Sequence, residues 1–386
     1  MDALMLPLNW QRVRLGDIAE INPPTIIPNV FYYIDLENVE KGQLLNKQLM
    51  TKNKAPSRAR RLLSKNDILY QLVRPYQRNN YFFTLNGDYV ASTGYAQIRT
   101  LQNPSFLYFA LHSNYFVNAV LDRCEGTSYP AVSSNELKKC EVILPPLNEQ
   151  SAIANILSAL DRYLCALDAL ILKKESVKKS LSFELLSQRK RLKGFNQTWQ
   201  RVRLGDIGKP CMCKRVMKRQ TTRYGEIPFY KIGTFGNTAD AFISKKLFLE
   251  YKTKYSFPKK GDILISASGT IGRAVIYDGK PAYFQDSNIV WIDNDETLVK
   301  NDFLFYAYSN VKWNTEHTTI LRLYNDNFRN TLIPLPPLNE QIAIANILSD
   351  LDKEIASLKN KKRQFENIKK ALNHDLMSAK IRVLKK

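Results

Sequence analysis

The side chains able to do covalent or proton-transfer chemistry are few in this sequence and lie far apart. Its three histidines, His112, His317 and His374, stand in three unrelated contexts, so no hydrolytic or metal-binding constellation can be assembled around them. The five cysteines, Cys124, Cys140, Cys165, Cys211 and Cys213, are an odd number. Only Cys211 and Cys213 are close, as Cys-x-Cys without a second pair or a nearby histidine, which points to reduced thiols rather than zinc. Gly269-Thr270-Ile271-Gly272 lacks the following Gly-Lys-Ser/Thr of a nucleotide loop. The sequence argues against self-contained catalysis and predicts no metal site.

Side chains that read a surface are far more abundant. Arg58, Arg60 and Arg61 precede an expected strand, and Arg74, Tyr76, Gln77, Arg78, Asn79, Asn80 and Tyr81 crowd together after it. Arg and Asn or Gln are the side chains that pair bidentately with guanine and adenine edges, and neighbouring cations hold phosphates. Two polar, loop-like runs follow, Ser92-Thr93-Gly94-Tyr95 and Gly126-Thr127-Ser128-Tyr129. Further along, the basic run is Lys214, Arg215, Lys218, Arg219 and Arg223. Candidate readers there are Lys231, Ser268, Thr270, Arg273, Gln285, Asn288, Arg322, Tyr324, Asn325 and Asn327. For any one of these the plain alternative is an ordinary surface loop; the clusters carry the argument. Asn22-Pro23-Pro24-Thr25 looks like the Asn-Pro-Pro-aromatic motif of adenine-N6 methyltransferases, whose aromatic stacks on a flipped base. Here Thr25 replaces the aromatic, and no glycine-rich strand-turn-helix for S-adenosylmethionine occurs, so the segment reads as a turn.

Charge points the same way. The 386 residues hold 57 Lys+Arg against 36 Asp+Glu, a net +21. A surplus that large fits a polyanionic partner, nucleic acid first and a membrane surface second. The apolar stretch Cys165 to Leu172 is broken by Asp168 and is too short to span a bilayer. The start of the chain carries Asp2 and no basic region typical of a signal peptide. A cytoplasmic protein is expected.

The elements that must position these residues come in duplicate. Trp10 to Ile18 reads WQRVRLGDI, and Trp199 to Ile207 repeats it without change. Leu144 to Asp161 and Leu335 to Asp352 differ only at Ser151/Ile342 and Ala159/Asp350. Ser64 to Leu69 (SKNDIL) answers Lys259 to Leu264 (KKGDIL). Otherwise the intervening segments diverge: Val73-Arg74-Pro75-Tyr76 stands where the second copy has Ser266-Ala267-Ser268-Gly269-Thr270. Short strands with turn punctuation are expected at 229–232, 262–266, 274–277 and 289–292, and helices at 105–120 and 301–308. Each domain is therefore expected to be α+β.

Each copy then runs into a long helix. Pro145-Pro146 and Pro336-Pro337 cannot sit in a helix interior. Asn148 and Asn339 suit the N-cap, and Glu149 and Glu340 place negative charge at the helix start. Apolar residues step by three and four through Ile153, Leu157, Leu160, Leu164, Leu167 and Ile171. The second copy matches with Ile344, Leu348, Leu351, Ile355, Leu358, Phe365, Ile368 and Leu372. That is a coiled-coil seam, with looser spacing after Ile171 and an interruption at Lys362. With no proline or glycine from Glu149 to Lys193, the first helix is expected to run roughly 65 Å. Two such helices can cover each other as an antiparallel pair; the alternative is that each folds back on its own domain. The expected boundaries are 1–143, 144–198, 199–334 and 335–386. The eight Lys/Arg of 173–193 and the eleven of 353–386 read mainly as a solvated face.

Taken together, the doubled Leu-Pro-Pro-Leu-Asn-Glu-Gln helix start, the doubled Trp-x-x-Val-x-Leu-Gly-Asp-Ile segment, the Val-Arg-Pro-Tyr run with Ser-Thr-Gly-Tyr downstream, and Gly261 to Arg273 resemble the specificity subunit of type I restriction-modification enzymes. The resemblance spans essentially the whole chain. It implies two target recognition domains, each reading one half of a bipartite, asymmetric site on double-stranded DNA, and paired helices that set the spacer. It implies two modification subunits, which carry S-adenosylmethionine and methylate adenine, docked on the duplicated frame. It further implies restriction subunits that use ATP and Mg to translocate and cleave, and no cofactor or catalysis in this chain. A self-contained adenine methyltransferase, a type IIB-like specificity subunit and a coiled-coil adaptor without a DNA role are the alternatives.

Overall fold

The computed structural model describes residues 6–126, 128–314, 316–317 and 321–384. Two compact units share the chain, residues 1–169 with 360–386, and residues 170–359. Each unit holds one mixed domain, the first half of one long helix and the second half of the other.

In the first unit the strand Gln11–Arg14 pairs antiparallel with Glu141–Leu144, closing the domain where the long helix starts. One sheet orders Ala19–Ile21, Tyr95–Thr100, Ile68–Gln71 and Tyr81–Phe82. A second orders Gln48–Thr51, Val30–Ile34, Tyr89–Ser92 and Ala59–Leu62, with Val30–Ile34 parallel to Tyr89–Ser92. The core gathers Trp10, Leu15, Ile68, Tyr70, Ile98, Phe106 and Phe116 with Ile153 and Leu157 of the long helix. Apolar side chains on both faces of Ile68–Gln71 explain its full burial. The single helix expected over 105–120 is two, Pro104–Ala110 and Asn114–Leu121. Ser113 divides them by accepting from the Phe116 N–H, as an N-cap serine does.

The second unit repeats the plan. Gln200–Arg203 pairs with Leu332–Leu335, and one sheet orders Gly208–Met212, Ile289–Asn294, Ile263–Ser266 and Ala274–Ile276. The second sheet again contains a parallel pair, Ile227–Tyr230 with Tyr283–Phe284. One difference matters. A helix, Lys245–Lys254, follows Phe242–Ile243 and packs through Phe248 on an aromatic core of Phe229, Phe235, Tyr283 and Trp291, where the first unit has its own core of Tyr81, Phe83, Tyr89 and Tyr95 without such a helix. The expected strand at 229–232 is Ile227–Tyr230; Lys231 and Ile232 belong to the turn that follows.

The long helices are Leu147–Leu186 and Leu338–Met377. Each starts one residue before the asparagine expected to cap it: the Pro146 carbonyl takes the Gln150 N–H at 2.9 Å and the Pro337 carbonyl takes that of Gln341 at 3.0 Å. Within the first unit Asp161 pairs with Lys369, Asp168 pairs with Lys362, and the Tyr163 ring meets Phe365 at 4.7 Å. Within the second, Glu175 meets Lys359 at 2.6 Å and Lys174 meets Glu354 at 2.8 Å. As one number rises the other falls, so the helices pair antiparallel. Their second and third turns also pack on their own domains, through Ile153 and Leu157 or Ile344 and Leu348. The seam stays buried at Leu167, Ile171 and Ile355, while Ile368, expected on it, is half exposed.

Candidate nucleic-acid interface

The candidate readers of the first domain collect where three loops meet a buried strand end. The Leu72 N–H donates to the Gly94 carbonyl at 2.9 Å, and the Leu72 carbonyl accepts from Val132 N–H at 3.0 Å. Val73 bridges Ala131, and the Arg74 N–H reaches the Pro130 carbonyl at 2.7 Å. These bonds gather Arg74 to Gln77, Thr93-Gly94 and Ser128 to Pro130. The Arg74 guanidinium lies 4.2 Å from the centroid of the Tyr129 ring, and Tyr129 and Tyr76 are exposed. Arg74 and Arg78 both take left-handed backbone, φ 55° and 54°, a conformation other residues adopt only when the surroundings hold it. Ser128 is exposed, while Thr127 lies outside the described residues.

The second domain builds the same junction from different residues. Ala267 N–H donates to the Asn288 carbonyl at 2.8 Å, and the Ala267 carbonyl accepts from Leu323 N–H at 2.9 Å. Ser268 bridges Arg322. The Ser268 hydroxyl donates to Asn288 Oδ1 at 2.8 Å, and Arg322 donates to the Ser287 carbonyl at 2.8 Å. Thr270, Arg273, Tyr324 and Asn325 surround this point and are exposed. Arg322 stands 5.9 Å from the Tyr324 ring. Each domain thus presents an arginine over an exposed tyrosine beside one matched set of backbone bonds. Cationic and aromatic groups with amide side chains suit phosphates and base edges.

Several expected readers are engaged elsewhere. Tyr95 is fully buried; as the first residue of the strand Tyr95–Thr100 it points into the core, its hydroxyl without a partner and its ionisation pushed up by burial. Arg78 turns inward to the His112 carbonyl at 3.0 Å and Asn114 Oδ1 at 2.7 Å. Asn79 takes the Lys41 N–H on its side-chain oxygen, and its own N–H donates to Gln71 Oε1. Ser268 is buried, its hydroxyl given to Asn288. Arg58 pairs with Asp35 and donates to Tyr33, which raises its pKa. Arg60 is exposed and donates to the Ser57 carbonyl at 2.7 Å. Arg61 is half-buried with its Nε unpartnered, and desolvation lowers its pKa. Lys231 pairs with Asp240 at 2.8 Å and Arg215 with Asp286 at 2.9 Å. Lys214, Arg219 and Arg223 are exposed; the first stands 5.0 Å from the Tyr255 ring.

Asn22, first residue of the motif-like Asn-Pro-Pro, serves the fold. Its backbone is left-handed, φ 58°, and its side chain bonds Ser134 Oγ and the Gln97 N–H. That is a turn held from both sides. Among the described residues no group of three or more His, Cys, Asp or Glu could hold a metal ion, and no helix is long and apolar enough to cross a membrane.

The duplicated motifs have a function that sequence reasoning missed. Glu149 is buried and accepts from the Trp10 indole at 3.0 Å and from Arg382 through two bonds, 2.9 and 2.7 Å. Glu340 accepts from Trp199 at 2.8 Å and from Arg191 at 3.3 and 2.7 Å. Gln150 and Gln341 each donate to a proline carbonyl five residues earlier, Pro145 and Pro336, and each accepts a domain N–H, Asn103 or Lys300. The near-identical Glu-Gln pairs join helix to domain, so their duplication serves internal construction. The signal was present in the doubled tryptophan and glutamate, 139 and 141 residues apart.

Paired sheets and antiparallel helix segments, carrying a matched loop junction in each unit, define a duplicated recognition protein. The chain belongs to the type I restriction modification DNA specificity domain family, whose model matches residues 7–175 and 196–367. It is 43% identical over 290 residues to a putative type I restriction enzyme specificity subunit of Haemophilus influenzae, covering 72% of this chain and 69% of that one. Two solved structures share the fold. One chain, from work on complex assembly and conformational transition of the type I R-M system, has TM-score 0.61 and 23% identity, covering 96% of this chain and 98% of that one. The type I restriction-modification S subunit of M. genitalium has TM-score 0.60 and 17% identity, with the same coverages. The protein is a DNA recognition subunit of this family.

Proposed function

We propose that each domain reads one half of a bipartite DNA site and that the chain recognises sequence for subunits that do the chemistry. Residues 1–143 and 199–334 act as the two target recognition domains. Residues 144–198 and 335–386 set the gap between half-sites and, with the domain edges, receive two modification subunits. Adenine methylation, S-adenosylmethionine, ATP and Mg belong to the modification and restriction partners. One observation carries this reading: the backbone bonds at Leu72, Gly94 and Val132 recur at Ala267, Asn288 and Leu323, while the side chains they present differ. A frame kept constant around variable loops is what two different half-sites require.

The buried parts of the duplication hold each unit together, so docking falls to its exposed parts. Gln11, Arg12, Arg14, Asn148 and Asn155 are exposed, and so are Gln200, Arg201, Arg203, Asn339 and Asn346. Two equal partners meet the same five residues twice.

The test is an exchange of residues 21–140 for those of a relative with a different site, read by mapping methylated adenines in cells that also carry the modification partner. One half of the methylated motif should change and the other half and the gap should stay. A change in both halves would refute the modular reading.

A further inference from the structure

A large surplus of positive charge in the second domain lies outside its loop junction. Residues 208–261 of the second unit hold thirteen Lys and Arg against three acids. The corresponding stretch of the first unit, residues 19–66, holds eight against four. A net +10 therefore sits where the first unit has +4, and it is nearly half of the chain's +21. Part of the surplus rides on the element that sets the second domain apart, the helix Lys245–Lys254 over Phe229, Phe235 and Trp291.

Internal pairing accounts for only part of it. Arg215, Lys231, Lys254 and Lys259 each meet an acid. The other nine cations are exposed and enter no ion pair among the described residues. Helix stability does not explain the arrangement either. Lys245 and Lys246 occupy a first turn without an acid, where the helix dipole disfavours cations. Nine unpaired charges on one lobe repel each other and call for an external polyanion.

This lobe adjoins the reading loops of its own unit. Ile232 N–H donates to Gln285 Oε1 at 2.9 Å, and Arg273 reaches the Gly236 carbonyl at 3.5 Å. Arg215 pairs with Asp286, next to Ser287, whose carbonyl takes Arg322. The lobe therefore begins where the reading junction ends.

We infer that residues 208–261 form a basic lobe that grips DNA phosphates, so that the second unit supplies the larger share of sequence-independent affinity. The inference rests on the DNA-recognition reading above and adds an inequality between the two domains. The test uses the full chain, a random-sequence duplex and a salt series. Neutralising Lys218→Gln, Arg219→Gln, Lys245→Gln and Lys246→Gln together should lower the slope of log affinity against log salt by about 0.9 for each phosphate left without its cation, up to about 3.6. The first-unit set Lys47→Gln, Lys52→Gln, Lys54→Gln and Lys65→Gln should lower it less. Lys218→Arg, Lys245→Arg and Lys246→Arg should keep the slope, and melting curves check that every variant is folded. An unchanged slope in the second-unit variant, or a larger fall in the first-unit variant, overturns the lobe and leaves base reading by the loops standing. If the unaltered chain bound no duplex, the DNA-recognition reading itself would fail.

Discussion

Glu149 and Glu340 are buried carboxylates, each held by one indole N–H and one bidentate arginine. A buried carboxylate that loses its cation keeps its desolvation penalty and loses the compensation. Arg382→Leu and Arg191→Leu should therefore each destabilise the unit they close, by about 2–4 kcal/mol. Urea unfolding followed by tryptophan fluorescence measures this, since Trp10 and Trp199 sit in the two clasps. Tyr95→Phe should leave DNA binding and stability nearly unchanged, because its buried hydroxyl has no partner to lose. His112 gives a pH signature. Burial lowers its pKa from 6.5 to about 4, and the nearby Lys369 and Arg78 act in the same direction. The unfolded chain binds the proton first as pH falls, so this contribution to stability is lost between about pH 6.5 and 4 and levels off below that. The difference in urea midpoint between the unaltered chain and His112→Gln should change over that window and no other. At this scale the sequence was least informative. Arg78, Asn79 and Tyr95 have the residue types of DNA readers, and only the direction each backbone gives its side chain turns them inward.

Among the elements, the long helices were the most legible, because three-and-four spacing over many turns and the Pro-Pro starts are local signals. Their ends were not legible. The expectation that the first helix runs to Lys193 fails at Leu186, where Gln188 takes left-handed backbone, φ 61°, and Lys190 N–H bonds the Glu184 carbonyl. The second ends in the same way at Ala379, φ 57°. Both stops use a residue other than glycine, so composition carried no sign of them. Sheet order was likewise hidden, since the pairing of Val30–Ile34 with Tyr89–Ser92 joins segments far apart in the chain. The helices give their own prediction. Adding four residues after Ser176, about one turn or 6 Å, should lengthen the gap of the methylated site and leave both half-sites as they were. A changed half-site would show that helix length and base reading are not separate.

For the whole molecule, the duplication visible in the sequence does two things. Its buried part joins each domain to a helix, and its exposed part offers equal surfaces twice. Recognition is left to the loops that differ and affinity to a basic surplus that is itself unequal. The most direct measurement is a map of methylated adenines across the genome of cells carrying this chain with its modification partner, compared with cells carrying the partner alone. The account predicts one motif with two different half-sites and a fixed, unread gap, present only with this chain. A single uninterrupted motif, or the same methylation without the chain, would contradict it.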